Sequence, residues 1–211
     1  MMRLEDLLNP KPIGLTEPTE GDLELPEYLV TDPILVGYPD VEMQREIYTW
    51  VLQDLPILGS VIDFGAGRGD FQEFLHEINP AWEYTGYEIT PGLVAAAIQA
   101  KRNVQLQDVL TLDTDNLHAE WVVCIGTLNY SNRSEENGNF EKFLAKALEL
   151  NPKGITFILL SKDDAGMYST YSIPLMAQFL DEGGYIYKID NSVYDGIYKL
   201  TIIANNLNFN Q

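Results

Sequence analysis

Short strand-like runs recur along the chain, and most are followed by stretches in which apolar residues return every three or four positions. Val61, Ile62 and Phe64 form the first run, and 83–89 (EYTGYEI), 103–109 (NVQLQDV), 121–126 (WVVCIG) and 155–160 (ITFILL) supply four more. The segment 103–109 alternates apolar and polar residues, whereas 155–160 is a continuous apolar run suited to a central parallel strand. The intervening periodicity predicts helices. Asp70 reads as an N-cap with Glu73 three positions on, completing a capping box before Phe74, Leu75 and Ile78. Thr90 and Pro91 read as N-cap and first residue of a helix through Leu93, Val94, Ala97 and Ile98. Phe140, Phe143, Leu144, Ala147 and Leu148 share one face of a helix over 139–150, which Asn151, Pro152 and Gly154 end. A last helix follows Ser172, runs through Leu175, Met176, Phe179 and Leu180, and stops at Gly183 and Gly184. Two strands remain, at 185–189 and 196–204. Alternation of this kind predicts an α/β fold with a seven-stranded, doubly wound sheet between helices.

Upstream of this core the pattern changes. Pro10, Pro12, Pro18, Pro26, Pro33 and Pro39 make residues 1–36 an irregular N-terminal arm. Asp40 then caps a helix over 40–55 whose inner face carries Val41, Gln44, Tyr48, Val51, Leu52 and Leu55, so that 37–211 forms one domain.

The richest chemistry lies in VIDFGAGRGDF, residues 61–71. A strand enters a GxGxG turn at Gly65, Gly67 and Gly69, where residues lacking Cβ allow positive φ and let a ligand rest on the backbone. A dinucleotide would bring its pyrophosphate to the first helical N–H groups, which favour anions. Here Asp63 and Asp70 flank the turn, so a pyrophosphate would meet two carboxylates unless Arg68 compensated, whereas a ligand bearing an ammonium group would be favoured. The dinucleotide fingerprint also wants a third glycine where Asp70 stands.

With those residues in place, the segment resembles motif I of the class I S-adenosylmethionine (SAM)-dependent methyltransferases. The resemblance implies that Asp63 helps to hold the methionine amino group, while Gly65, Gly67 and Gly69, with Phe64 and Ala66 between and before them, bound the methionine and ribose. It places Glu88, 19 positions after Gly69 at the end of the second strand, on the ribose hydroxyls, and Ile89 against the adenine. Asp108 and Val109, after the third strand, would meet the adenine amino group and ring. Gly126 and the TLNY that follows would lie between cofactor and acceptor, with Asn129 and Tyr130 orienting the acceptor and Tyr168, Tyr171 and Tyr194 as pocket walls. The segments GYPDVEMQREIY, SNRSEEN and SVYDGIYKLTII are similar to those of small bacterial and phage members of the family, on which basis Gly37, Tyr38 and Gln44 would close over the cofactor. The family fold is Rossmann-like, mostly parallel, with an antiparallel last strand. Each residue also has a plainer reading: Asp63 as a turn cap, Glu88 as a solvated strand end, Asp108 as an Asx-turn residue, Gln44 and Tyr38 as surface and packing groups. Three carboxylates at three successive strand ends favour the site, because ligands of open α/β sheets bind there.

Composition narrows the partners. The chain has 211 residues, 45% of them hydrophobic, which is normal for one soluble domain. A net charge of −19, with only 13 dispersed Lys and Arg residues, disfavours nucleic acid as acceptor. No apolar run approaches a membrane span and MMRLEDLL lacks signal-peptide features, so a cytoplasmic protein without a membrane partner is expected. Cys124 stands alone inside an apolar run and reads as a structural thiol, and two histidines without ligand spacing support no metal site. The expected function is methyl transfer from SAM to a small molecule, with a protein side chain behind it. Two alternatives stay open: an NAD(P)-dependent oxidoreductase and a non-catalytic SAM-binding regulatory protein. Oligomeric state and acceptor identity are not read from the sequence.

Overall fold

The computed structural model describes residues 30–130, 136–161 and 169–204. Seven strands form one sheet: β1 (Ser60–Phe64), β2 (Glu83–Glu88), β3 (Val104–Leu106), β4 (Trp121–Ile125), β5 (Gly154–Leu160), β6 (Ile186–Asp190) and β7 (Ile197–Ile203). Their order is β3-β2-β1-β4-β5-β7-β6. The pairs β1–β2, β1–β4, β2–β3 and β4–β5 are parallel, whereas β7 runs antiparallel to both β5 and β6. The fold class is therefore the one expected, a seven-stranded α/β sheet with an antiparallel last strand.

Side chains alternate across β1 and send it into two cores. Ile62 and Phe64 face a cluster with Val122, Phe157, Leu200, Phe140 and Leu144, beneath α4 (Glu136–Glu149) and α5 (Ile173–Glu182). Val61 faces the opposite cluster with Ile47, Trp50, Phe71, Leu75 and Val94, beneath α1 (Val41–Leu52), α2 (Asp70–Ile78) and α3 (Pro91–Gln99). Val51, Phe64, Leu75, Val122, Ile155 and Phe157 expose 0% of their surface, so the central strands are buried on both faces, as parallel strands must be.

The strand expected over 103–109 is only Val104–Leu106, and Thr90 and Ser172 stand at helix N-caps without a side-chain bond; three further differences concern the arm, α1 and α2. Asp40 does cap α1, accepting a hydrogen bond from Met43 N at 2.8 Å, but the helix ends at Leu52 rather than at 55. Residues 33–36 of the arm form a 3-10 turn, capped by Asp32 on Ile34 N at 3.0 Å and closed by Gly37 in the left-handed region, so the described end of the arm is regular. The rest of the arm, residues 1–29, lies outside the described residues. The third difference is at α2, whose N-cap is Gly69 at φ +73 with no side-chain cap, and whose first residue is Asp70. The capping box does not form because Asp70 and Glu73 are taken by arginines: Asp70 pairs with Arg68 and Arg102, and Glu73 with Arg102.

Helix α1 is clamped over the antiparallel end of the sheet. Lys199 on β7, 1% exposed, reaches Asp54 at 2.8 Å and donates to Trp50 O at 2.7 Å, while Trp50 Nε1 donates to Asp190 on β6 at 3.0 Å. Thr201 adds a bond to Asp54 at 2.6 Å. A cation buried at this depth must be paired, and these contacts fix where α1 can sit.

Candidate functional site

The site is built at the carboxyl ends of β1, β2 and β4. Leaving β1, the chain turns at Gly65, φ +77, whose N–H and that of Ala66 both donate to Tyr87 O, at 2.8 and 3.0 Å. A Cβ at Gly65 would overlap the Thr127 side chain, whose hydroxyl lies on Phe64 O and Gly65 O at 3.0 and 2.9 Å. The glycine is thus required by φ and by the close crossing of the turn after β4. Gly67 also has positive φ, +57, and a Cβ there would come within 3.2 Å of Val36 Cγ1. The arm therefore covers the glycine turn, and bulk added at Gly67 meets the arm before any ligand.

Glu88, 7% exposed, laces the turn to β2. Its Oε2 accepts from Gly67 N at 2.9 Å, and its Oε1 from Ile89 N and Thr90 N at 2.9 and 2.8 Å. A carboxylate has about four acceptor positions, so roughly one is left for a ligand, fewer than two ribose hydroxyls would use. Ile89 beside it is 53% exposed, and Leu110, after the neighbouring strand, 37%. Apolar side chains left in water at adjacent strand ends offer a surface on which a planar base could lie.

Asp63 is the unusual residue of the site. It is 3% exposed, and its Oδ2 accepts from Tyr84 OH at 2.8 Å, but its buried Oδ1 has no partner. Burial raises its pKa to about 7, against the lowering effect of the Tyr84 bond and with a further push upward from Glu88. Tyr84 itself is held well above the usual phenol range by burial and by Asp63, so it stays a donor. Cys124, facing the other core, is likewise pushed up by burial and is no nucleophile.

The other expected site residues divide. Asp108 Oδ1 accepts from Leu110 N at 2.9 Å and caps a 3-10 turn, Val109–Thr111, with Val109 buried, which is the Asx-turn arrangement. Phe64 points into the core, 0% exposed, and Gly69 caps α2. Gly126, φ +79, bonds to Ile158 O and opens the Thr127–Tyr130 turn. Asn129 is 7% exposed and its Oδ1 accepts from Leu160 N at 3.1 Å, tying the ends of β4 and β5, so only its amide N–H groups could face an acceptor. The Tyr130 side chain and all of Tyr168 lie outside the described residues. Tyr171 is core, 1% exposed, with its hydroxyl on Leu128 O at 3.1 Å, and is not a pocket wall. Tyr194 bonds Glu46 and joins the β6–β7 loop to α1.

Gln44 and Tyr38 sit on one aromatic strut. Gln44 Nε2 donates to Tyr48 OH and to Asp70 Oδ2, both at 3.1 Å, and Tyr38 stands edge-on to Tyr48 at 6.0 Å. Asp70 is thereby surrounded by Gln44, Arg68 and Arg102, so it is neutralised rather than offered to a ligand's ammonium group. Of the two flanking carboxylates, Asp63 keeps an oxygen without a hydrogen-bond partner. Tyr84, Arg102 and Leu110 escaped the sequence reading. Tyr84 had a signal, since Tyr84, Gly86 and Glu88 alternate onto one face of β2 and Gly86 pairs with Asp63. Arg102 had none, because only the fold brings it to α2. Among the described residues no group of three His, Cys, Asp or Glu side chains could hold a metal, and no helix is long and apolar enough to cross a membrane.

No model of a known protein family and no curated protein sequence matches this chain. Its structure is similar to that of PH0226 from Pyrococcus horikoshii OT3, with 11% identity and a TM-score of 0.65 over 85% of this chain and 99% of that one. It is also similar to DhpI in a SAM–HEP complex, at 13% identity and TM-score 0.59 over 83% and 94% of the two chains. The glycopeptide N-methyltransferase MtfA, complexed with S-adenosylhomocysteine, follows at 12% identity and TM-score 0.58 over 76% and 89%. The shared fold is that of the class I SAM-dependent methyltransferases.

Proposed function

We propose that this chain is a SAM-dependent methyltransferase acting on a small molecule in the cytoplasm. One observation carries the reading: at the carboxyl ends of β1 and β2, a glycine turn, a carboxylate bonded to that turn and a buried carboxylate with an unpaired oxygen converge. Asp63 Oδ1 is the acceptor for a cationic amino group, Glu88 retains an acceptor position for a ribose hydroxyl, and Ile89 with Leu110 receives the base. Those residues fit the donor's polar and apolar parts. When bound, SAM supplies a methyl group already activated on a sulfonium, so the protein's task is to align an acceptor and keep water out.

Residues of this chain would do that from two sides. Val36 covers the glycine turn from the arm, and the Thr127–Tyr130 turn bears on it from β4. Asn129, locked by Leu160 N, can donate to an acceptor through its amide. The −19 charge leaves few cations to neutralise phosphates and so weighs against nucleic acid as the acceptor.

Calorimetric titration with SAM, S-adenosylhomocysteine and NAD tests the donor. SAM and its product should bind and NAD should not; tighter NAD binding would turn the reading into an oxidoreductase. Transfer of labelled methyl from SAM into a panel of small molecules tests activity, and SAM binding with no product from any acceptor class would leave a binding protein.

A further inference from the structure

We propose that Tyr84 is a positioning residue of the cofactor site: its phenol engages one oxygen of Asp63 and so presents the other, buried and unpaired, to the ligand's ammonium group. The proposal rests on the methyltransferase reading above. Its basis is the geometry of two neighbouring strands. Asp63 on β1 pairs in register with Gly86 on β2, and Tyr84 lies two residues earlier on the same face as Gly86. Because Gly86 has no side chain, the Tyr84 ring passes over it; a Cβ there would stand 3.1 Å from the phenol oxygen. The hydroxyl thus reaches Asp63 Oδ2 at 2.8 Å. Tyr84 is 5% exposed, and a hydroxyl buried that deeply destabilises the fold unless it is bonded, so a phenylalanine would have served packing alone.

The surroundings make Asp63 a poor anion without a ligand. Facing it are Tyr84 and Glu88 from β2 and Tyr48 from α1, with Asp70 of α2 beyond Tyr84. All are neutral or acidic. Only the Tyr84 hydrogen bond favours the charged carboxylate. An ammonium group at Oδ1 would supply the missing positive charge, so binding and loss of the Asp63 proton are coupled, and Tyr84 sets the pH at which that coupling operates.

Calorimetric binding of S-adenosylhomocysteine from about pH 5.5 to about pH 7.5 tests this, a range in which the ligand's amino group, the α-amine of a free amino acid, is cationic. Wild-type affinity should rise as pH approaches about 7, with proton release on binding below that value. Tyr84→Phe should move the rise upward by about half a pH unit or more, which is roughly three-fold weaker binding in the acid part of the range. Tyr84→3-fluorotyrosine, nearly isosteric and a stronger donor, should move it downward, and Asp63→Asn should abolish it. Profiles of both Tyr84 variants superimposing on the wild type would overturn the proposal. So would a wild-type affinity independent of pH, which would leave the methyltransferase reading intact. No binding at any pH would overturn that reading too.

Discussion

At the scale of single residues, the site is governed by where a side chain is forbidden and where an acceptor is already in use. Gly65 combines φ +77 with the Thr127 side chain in the space a Cβ would take. Gly65→Ala should therefore lower the unfolding free energy by about 2–4 kcal/mol, the sum of left-handed strain and overpacking, as read by urea denaturation without ligand. Glu88 gives a second test. Its three backbone donors lose their acceptor on truncation, so Glu88→Ala should cost about 2 kcal/mol or more of stability besides weakening SAM binding. A variant as stable as wild type by urea denaturation would mean that the turn does not depend on this carboxylate. The sequence made Glu88 visible through its place at the end of β2, but not its bond to Gly67, because that depends on how closely two strand ends approach.

At the scale of elements, α1 is the piece that the fold must hold by chemistry as well as packing. Its outer end is anchored by buried Lys199 on Asp54 and Trp50 O. Removing one partner leaves an unpaired charge, so Asp54→Ala should destabilise by about 3 kcal/mol, while Asp54→Ala with Lys199→Met should recover much of the loss. Equal stabilities of the single and double variants in chemical denaturation would contradict that account. Strand β2 and helix α2 show how unevenly such elements are legible. The β2 run was readable nearly to its bounds because Tyr84, Thr85 and Tyr87 are β-prone residues. The start of α2 was not. Asp70 and Glu73 have the spacing of a capping box, yet Arg102, from the turn after α3, competes for both carboxylates. A charged hydrogen bond from a guanidinium is stronger than a bond to a backbone N–H, and the cap position passes to Gly69.

For the whole molecule, pH should act on stability in an uncommon direction through the site. The native Asp63 carboxyl stays protonated up to about pH 7, against an ordinary value of 3.8. Between those values the native state holds more protons than the unfolded chain, so this group's contribution is present below the ordinary value and is lost as pH rises through about 7. Asp190, whose pKa is lowered to about 2 by hydrogen bonds from Ser192 and Trp50, acts oppositely and loses its contribution as pH falls below the usual carboxylate range. Ligand-free protein should therefore be most stable on the acid side of neutrality. Asp63→Asn should flatten the decline between about pH 5 and about pH 7 in thermal melts. A wild-type melting temperature that climbs over that interval, with Asp63→Asn unchanged, would contradict a protonated native Asp63.

By itself the sequence determined the order of strands and helices, the glycine turn and the succession of carboxylates at strand ends. Those follow from local rules: apolar periodicity, the φ restrictions of L-residues, and the position of a residue relative to its own strand. Tertiary structure alone decided which carboxylate oxygens keep an unused acceptor position. Asp70, equal to Asp63 as a flanking acid in the sequence, is neutralised by arginines from its own turn and from a distant one. Asp63 is instead enclosed beside Tyr84 with one oxygen unpaired. The physical reason is that a side chain's charge partners and water exposure are set by the groups that packing brings within a few ångströms, and most of those lie far away along the chain.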